Sequence, residues 1–340
     1  MKNLLLQKIK ERRKLIEEIE KKRGSRLISY LTVPRQSFGA GISSVDTIPL
    51  FYEHLNSIGK VEQVDLFLYT GGGHALSPVR IIHLFREFCK KLCVLIPFRA
   101  QSAGTILALG ADEIVMGRLG ELGPVDPSVS NFFNPEEVKD NKKERVPISV
   151  EDVSAYFDLI RERGSADPSV LSTAIKALTD RIHPLALGNV QRQYLLIRSL
   201  SKRLLGLHMK GGEEKKIDQI VDFLSEKLYN HTYEISRHEA KEVIGLNIVY
   251  PSEEVEKPMW KLYTNYSEGL LLGREFDFGG LLKEKAEGDF SLVSAIIESA
   301  GLSHPFSYSV NVKRKDGGNE FDIRVNSEGW EEIRSKEEQK

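Results

Sequence analysis

The residues Val64 to Tyr69 form a nearly unbroken apolar run that stops abruptly in Thr70-Gly71-Gly72-Gly73. Apolar residues without alternation mark a strand covered on both faces, the pattern of a parallel sheet. Parallel neighbours cannot be joined by tight turns, so crossovers must lie between them. The flanking sequence supplies them. Arg26 to Val33 reads as a strand ending at Pro34, and Asp46 to Ile58 puts Ile48, Phe51, Leu55 and Ile58 on one helical face. Ser77 and Pro78 form an N-cap and first-turn pair ahead of a helix whose face carries Ile81, Phe85, Phe88 and Leu92. Cys93 to Pro97 is the next strand, Gln101-Ser102-Ala103-Gly104 opens a helix toward Gly110, and Glu113 to Met116 is a further short strand. This alternation predicts an α/β fold with right-handed crossovers.

Residues 117–148 read as a long excursion with Pro124, Pro127, Pro135 and a charge run from Lys139 to Arg145. Helices are expected over Val150 to Glu162, Leu171 to Arg181, Gly188 to Leu207 and Ile217 to Tyr229, with a strand near Leu246 to Val249. Beyond Pro251 the composition shifts, and Phe306 to Val312 and Glu320 to Val325 flank Asp316-Gly317-Gly318 as a β-hairpin. Residues 1–23 form a charged amphipathic helix with Leu5, Ile9, Leu15, Ile16 and Ile19 near helical spacing and Gly24 as a stop. Its apolar stripe suits an arm packed on a neighbouring subunit, or a helix lying on a membrane surface. The chain is thus expected to comprise a helical arm (1–24), a main domain (25–250) and a C-terminal extension with a hairpin (251–340).

Charge and composition narrow the partners. Forty-eight Lys and Arg against 49 Asp and Glu lack the basic excess that displaces counterions, so nucleic acid is not expected. A hydrophobic content of 41% excludes disorder of the whole chain and allows a real core. Cys89 and Cys93, read four apart on one helix with no His/Cys cluster nearby, are core filling in a reducing compartment. No metal site is assigned. There is no run of about 18 apolar residues to span a bilayer, and Leu4-Leu5-Leu6 is cut off by Gln7, Lys8 and Lys10 before it makes an export signal. The expectation is a cytoplasmic chain, with membrane contact only through the first helix.

Two small-residue turns, each directly after an apolar strand, carry the chemistry. Three successive glycines cost backbone entropy, so Gly71 to Gly73 must serve a positive φ or a close backbone approach, with N–H groups left pointing into a cleft. The second turn, Arg99 to Thr105, sets Ser102 at a strand-to-helix junction, where a developing oxyanion is favoured. Neighbouring parallel strands bring both turns to the edge of the sheet where α/β proteins bind ligands. A serine hydroxyl facing glycine amides is the minimal apparatus for acyl transfer. The glycines alone also fit a tight turn or a phosphate cradle, although dinucleotide and P-loop spacings are absent, and Ser102 alone also fits an ordinary cap.

The ordered set Thr70-Gly71-Gly72-Gly73, Ser102-Ala103-Gly104-Thr105, Leu122-Gly123-Pro124-Val125-Asp126-Pro127, His183-Pro184-Leu185-Ala186-Leu187-Gly188 and His231 to Leu246 resembles the peptidase branch of the Clp-protease/crotonase superfamily. Within it the chain is similar to the serine dehydrogenase proteinase group, relatives of signal peptide peptidase A, over about residues 26 to 250. The resemblance implies an α/β Clp-protease/crotonase-like ββα-superhelix with Ser102 as nucleophile. It also implies an oxyanion hole from the N–H groups of Gly72, or Gly73, and Ala103, a peptide or protein substrate, and a homo-oligomer. The group's name points to serine dehydratase chemistry, but nothing in the chain suggests pyridoxal phosphate, and no cofactor is expected.

A serine hydroxyl needs a base. Clp-type peptidases place a histidine about 25 residues after the serine, where this chain has Asp126 and Pro127. Relatives of signal peptide peptidase A use a lysine further on, and Lys139, Lys142 and Lys143 fall near that distance, Lys143 being preferred. Such a lysine must be desolvated to lower its pKa, while the charge run reads as a solvated loop. His231 is the alternative base, active at neutral pH without tuning. Gly71 and His74 are expected to line the substrate cleft, with substrate backbone pairing along the edge after Gly71 to Gly73. His83 and His183 read as a helix-face residue and a turn cap, and Trp260 and Trp330 as packing. Two rival readings use the same residues: a crotonase-like acyl-CoA enzyme, and a catalytically inactive oligomeric scaffold.

Overall fold

Strands that the apolar runs mark as buried on both faces lie at the centre of a mixed sheet. The computed structural model describes residues 2–125, 128–129, 131–139, 142–164, 167–228, 230, 232–315 and 320–334. It divides into two compact units, Met1–Leu122 with Glu234–Lys340, and Gly123–Tyr233, which cut across the expected limits at 24 and 250.

In the first unit, α1 (Lys2–Gln7) and α2 (Ile9–Arg23) precede β1 (Arg26–Thr32), α3 (Thr47–Ile58), β2 (Val61–Tyr69), α4 (Ser77–Arg86) and β3 (Cys89–Ile96). Then come β4 (Arg99–Ala100), α5 (Ala103–Leu109), β5 (Glu113–Met116) and β6 (Glu121–Leu122). The second unit holds β7 (Ser128–Val129), β8 (Glu136–Lys139), β9 (Lys142–Arg145), β10 (Ile148–Ser149), α6 (Val150–Leu159), α7 (Pro168–Thr179), α8 (Pro184–Leu205) and α9 (Glu214–Glu226). Its small core joins Ile148 and Val150 to Ala186 and Val190. His183 caps α8 as expected, Nδ1 accepting from Leu185 N–H at 3.2 Å.

The first unit resumes with β11 (Ile235–Ser236), α10 (Arg237–Glu242), β12 (Ile248–Val249), α11 (Glu253–Leu270) and α12 (Phe278–Leu282). It closes with β13 (Glu287–Glu298), β14 (Leu302–Arg314), β15 (Phe321–Trp330) and β16 (Ile333–Arg334). Among the described residues nine strands make one sheet in the order β12-β5-β3-β2-β1-β13-β14-β15, with β16 on β14. From β12 to β1 the pairing is parallel, and β13, β14 and β15 extend it antiparallel from β1. The strands of the expected hairpin pair with each other, while residues 316–319 at its turn lie outside the described residues. The one charge in the central run, Asp65, is buried but satisfied by Arg23, by Ser25 Oγ at 2.7 Å and by Gln63 Nε2 at 2.9 Å.

Three local expectations are corrected. The helix after Ser77 ends at Arg86, so Phe88, Cys89, Leu92 and Cys93 leave it, and both cysteines lie in β3, buried and free. Ser77 is not the cap: Leu76 holds that position and Ser77 is buried inside the first turn. The apolar stripe of the N-terminal helix, expected to face a neighbouring subunit or a membrane, is buried by the chain itself at Leu15, Ile16 and Ile19. Leu15, Ile16 and Ile19 sit in the chain's own core with Met259, Leu262 and Tyr266 of α11 and Leu27, Phe67 and Ile296 of the sheet. The region after 251, expected as an extension with a β-hairpin, begins with a helix, α11. Pro258 inside it cannot donate to the carbonyl of Glu254, and Lys22 Nζ takes that carbonyl instead at 2.9 Å. Among the described residues no helix is long and apolar enough to cross a membrane.

Arg12 fastens the N-terminal helices to the C-terminal strands. Fully buried, it donates from Nε and Nη2 to Glu298 at 2.6 and 3.1 Å and from Nη1 to Leu5 O at 2.8 Å. Tyr266 Oη adds a hydrogen bond to Glu298 at 2.6 Å. Breaking one half of such a pair strands the other charge, so Arg12→Met is expected to cost about 3–5 kcal/mol in urea unfolding, with most of the loss recovered in the Arg12→Met/Glu298→Met double variant.

A second buried group sets a pH dependence. Burial, with His304 beside it, lowers the His54 pKa from 6.5 to about 3. The unfolded chain takes up this proton near pH 6.5 while the folded one does not until about 3, so stability present above 6.5 is lost as pH falls through that window. Thermal or urea unfolding from pH 7 to 4 should show His54 contributing about 1.4 kcal/mol per pH unit, a slope that His54→Asn removes.

Candidate active site

The two turns meet because the end of β2 pairs with β4. Thr70 N–H donates to Arg99 O at 3.0 Å and Gln101 N–H donates to Thr70 O at 3.1 Å. This fixes the glycine turn and the serine turn side by side. Arg99 is itself held by Glu121 at 2.5 Å and Glu234 at 3.2 Å, so the strand carrying the serine turn is braced on its far side. Burial pushes the Glu121 carboxyl up and Arg99 opposes that rise.

Ser102 stands at φ 51, ψ −114, a left-handed conformation that costs a non-glycine residue about 1–3 kcal/mol. Strain of this kind is the mark of a serine presented at the top of a sheet by a sharp strand-to-helix turn. The side chain is half-buried and faces the glycines: a Cβ added to Gly72 would lie 3.0 Å from Ser102 Cβ and 3.4 Å from Ser102 Oγ. Gly72 itself has φ 123, so neither sterics nor backbone permits another residue there.

Thr70 sets the turn's internal geometry. Its buried Oγ1 lies 2.7 Å from Thr32 Oγ1, accepts from Gly72 N–H at 3.0 Å and donates to Gly72 O at 3.0 Å. The Gly72 amide, expected as one oxyanion donor, is therefore committed to Thr70 and drops out of that role. Gly73 N–H and Ala103 N–H take part in no hydrogen bond among the described residues. Ile42 occupies one edge of the turn, donating to Gly72 O at 2.7 Å and accepting from His74 N–H at 2.8 Å. That side of the turn is therefore already paired within the chain.

Gly71 packs on Pro34, whose Cβ would sit 2.7 Å from an added Cβ. His74 is exposed at the end of the turn. Lys143 belongs to the second unit, on β9, with its side chain 76% exposed and its Nζ 3.8 Å from Glu136 Oε2; the desolvation a lysine base needs is not provided there. His231, Asp126 and Pro127 lie outside the described residues. Thr70, Thr32 and Ile42 were not singled out from sequence. Thr70 has a signal, a lone hydroxyl between apolar strand and glycines, whereas Ile42 has none.

A strained serine opposite a glycine turn at one edge of an α/β sheet is the arrangement of a serine hydrolase. Residues 2–158, which contain both turns, match the family model of ClpP-like SDH-type serine proteinases. Two relatives are proteins of Methanocaldococcus jannaschii. Uncharacterized protein MJ1495 is 36% identical over 132 residues, 37% of this chain and 44% of that protein, so the match spans under half of that relative's length. Uncharacterized protein MJ0137 is 29% identical over 259 residues, 74% of this chain and 78% of that one. A solved structure of a mutant of the 1510-N membrane-bound stomatin-specific protease covers 67% of this chain and 79% of its own at 14% identity and a TM-score of 0.35, a likeness too distant to carry weight.

The backbone at Ser102 gives a direct test of the strain. Ser102→Gly is expected to be about 1 kcal/mol more stable than Ser102→Ala in urea unfolding, because only glycine relieves the positive φ.

Proposed function

We propose that the protein is a serine peptidase working through an acyl-enzyme on Ser102. The observation that carries this is the Ser102 hydroxyl, held in a strained turn against the Gly72–Gly73 backbone. Ser102 Oγ attacks the scissile carbonyl as its proton passes to a base. The N–H groups of Gly73 and Ala103 take the oxyanion, the amine leaves with a proton, and water releases the acyl group. Each such donor is worth about 2.7 to 4 kcal/mol of barrier.

Strand alternation supports a mode of substrate binding. Ile42 uses Gly72 O and His74 N on one side, so the amide and carbonyl of Gly73 are directed to the other side, where an extended peptide can pair. This reading takes with it the ββα-superhelix and the homo-oligomer implied by the family resemblance. His231 is the base candidate this reading favours, because Lys143, exposed on β9, lacks the desolvation that such a role needs.

An active-site serine probe such as a fluorophosphonate should label the wild-type chain and not Ser102→Ala. Equal labelling of both would refute the assignment. In the same assay, alanine replacement of the true base among Lys139, Lys142, Lys143 and His231 should slow labelling by about 10²–10⁴-fold.

A further inference from the structure

On the far flank of the sheet's antiparallel strands, a chain of buried polar contacts ends at two carboxylates. Ser299 Oγ lies 2.7 Å from His54 Nδ1, and His54 Nε2 lies 3.1 Å from His304 Nδ1. His54 is fully buried and His304 2% exposed. The remaining nitrogen, His304 Nε2, faces Glu53 Oε2 at 3.5 Å, beyond hydrogen-bond length, and makes no hydrogen bond among the described residues. One ligand atom from each of Glu53, His304 and Glu332 lies within 4.8 Å of the other two.

We propose that Glu53, His304 and Glu332 bind a divalent transition-metal ion, Zn²⁺ by their donor set. The hydrogen bonds fit one consistent protonation pattern. If His304 Nε2 keeps its lone pair, Nδ1–H donates to His54 Nε2, and His54 Nδ1–H donates to Ser299 Oγ. This is the arrangement that fixes the ring orientation of a metal-bound histidine. The opposite pattern would aim an N–H from Nε2 at Glu53 across 3.5 Å, a poor bond for a buried donor.

One imidazole and two carboxylates leave a fourth tetrahedral position for water and suit Zn²⁺, whereas Ca²⁺ needs six or more oxygens. Arg334 Nε is bonded to Glu332 Oε1, one of the two oxygens of that carboxylate. A cleft of about 410 Å³ lined by Glu53, Asn56, Ser57, Leu302 and Arg334 gives the ion a way in from solvent. The ligands come from α3, from β14 and from the segment after β15, so the ion would pin the C-terminal strands to α3. The role is structural and independent of the peptidase reading.

The test is calorimetric titration of Zn²⁺ alone into the chelator-treated full chain. One Zn²⁺ per chain should bind and raise the thermal midpoint, as expected for a ligand that favours the folded state. Glu53 and Glu332 both lie at the surface, so Glu53→Gln/Glu332→Gln should keep the wild-type circular dichroism spectrum while losing the binding. His54→Asn, acting through His304, should weaken binding by about 10–100-fold. No stoichiometric Zn²⁺ binding by the wild-type chain, or wild-type affinity in the double glutamine variant, overturns the proposal.

Discussion

The active-site arrangement depends on one residue at the end of one strand. Thr70 uses its backbone to tie β2 to the serine turn and its hydroxyl to hold Gly72, so a single position sets both the distance between the two turns and the direction of the amides. Close approach finishes the work. A Cβ on Gly104 would fall 2.4 Å from Thr70 Cγ2, so α5 can lie against the strand only because that position is glycine. The strain at Ser102 persists because its neighbours on both sides are fixed, and it is the cost of turning a hydroxyl toward main-chain amides rather than into the helix.

Much of this was legible in sequence because it is written in local signals. Apolar runs bounded by glycine gave the parallel strands, and the residues following them gave the glycine turn and Ser102. The errors have physical causes too. Phe85, Phe88, Cys89 and Leu92 keep helical spacing across the junction of α4 and β3, and a strand buried on both faces has no alternation to contradict that period. Helix α11 carries a proline, and the compensating bond from Lys22 comes from 232 residues away. Among the many charges of α2 nothing local marks Arg12 as buried, because its partner Glu298 is 286 residues distant. Likewise His54 and His304 are 250 residues apart, beyond any motif. That the Gly72 amide is taken up by Thr70 turns on a hydroxyl rotamer, which no spacing rule contains.

The same contacts explain why the chain's ends behave as parts of its centre. Leu5 and Ile16 are as buried as Leu27 and Phe67, and α11 lies over them. Arg35 continues the pattern, donating to Leu271 O at 3.1 Å and Arg274 O at 2.9 Å while lying over the ring of Phe276. Trp330 Nε1 reaches Asp46 at 2.7 Å, next to the start of α3. The C-terminal strands therefore form part of the wall against which the parallel half of the sheet is built.

The pairing of Ser29 with Glu298 has a consequence for biosynthesis. On a ribosome β1 (Arg26–Thr32) emerges long before β13 (Glu287–Glu298), the strand that covers its outer edge. Through that interval a bare, apolar edge is open to cross-chain pairing with another nascent copy.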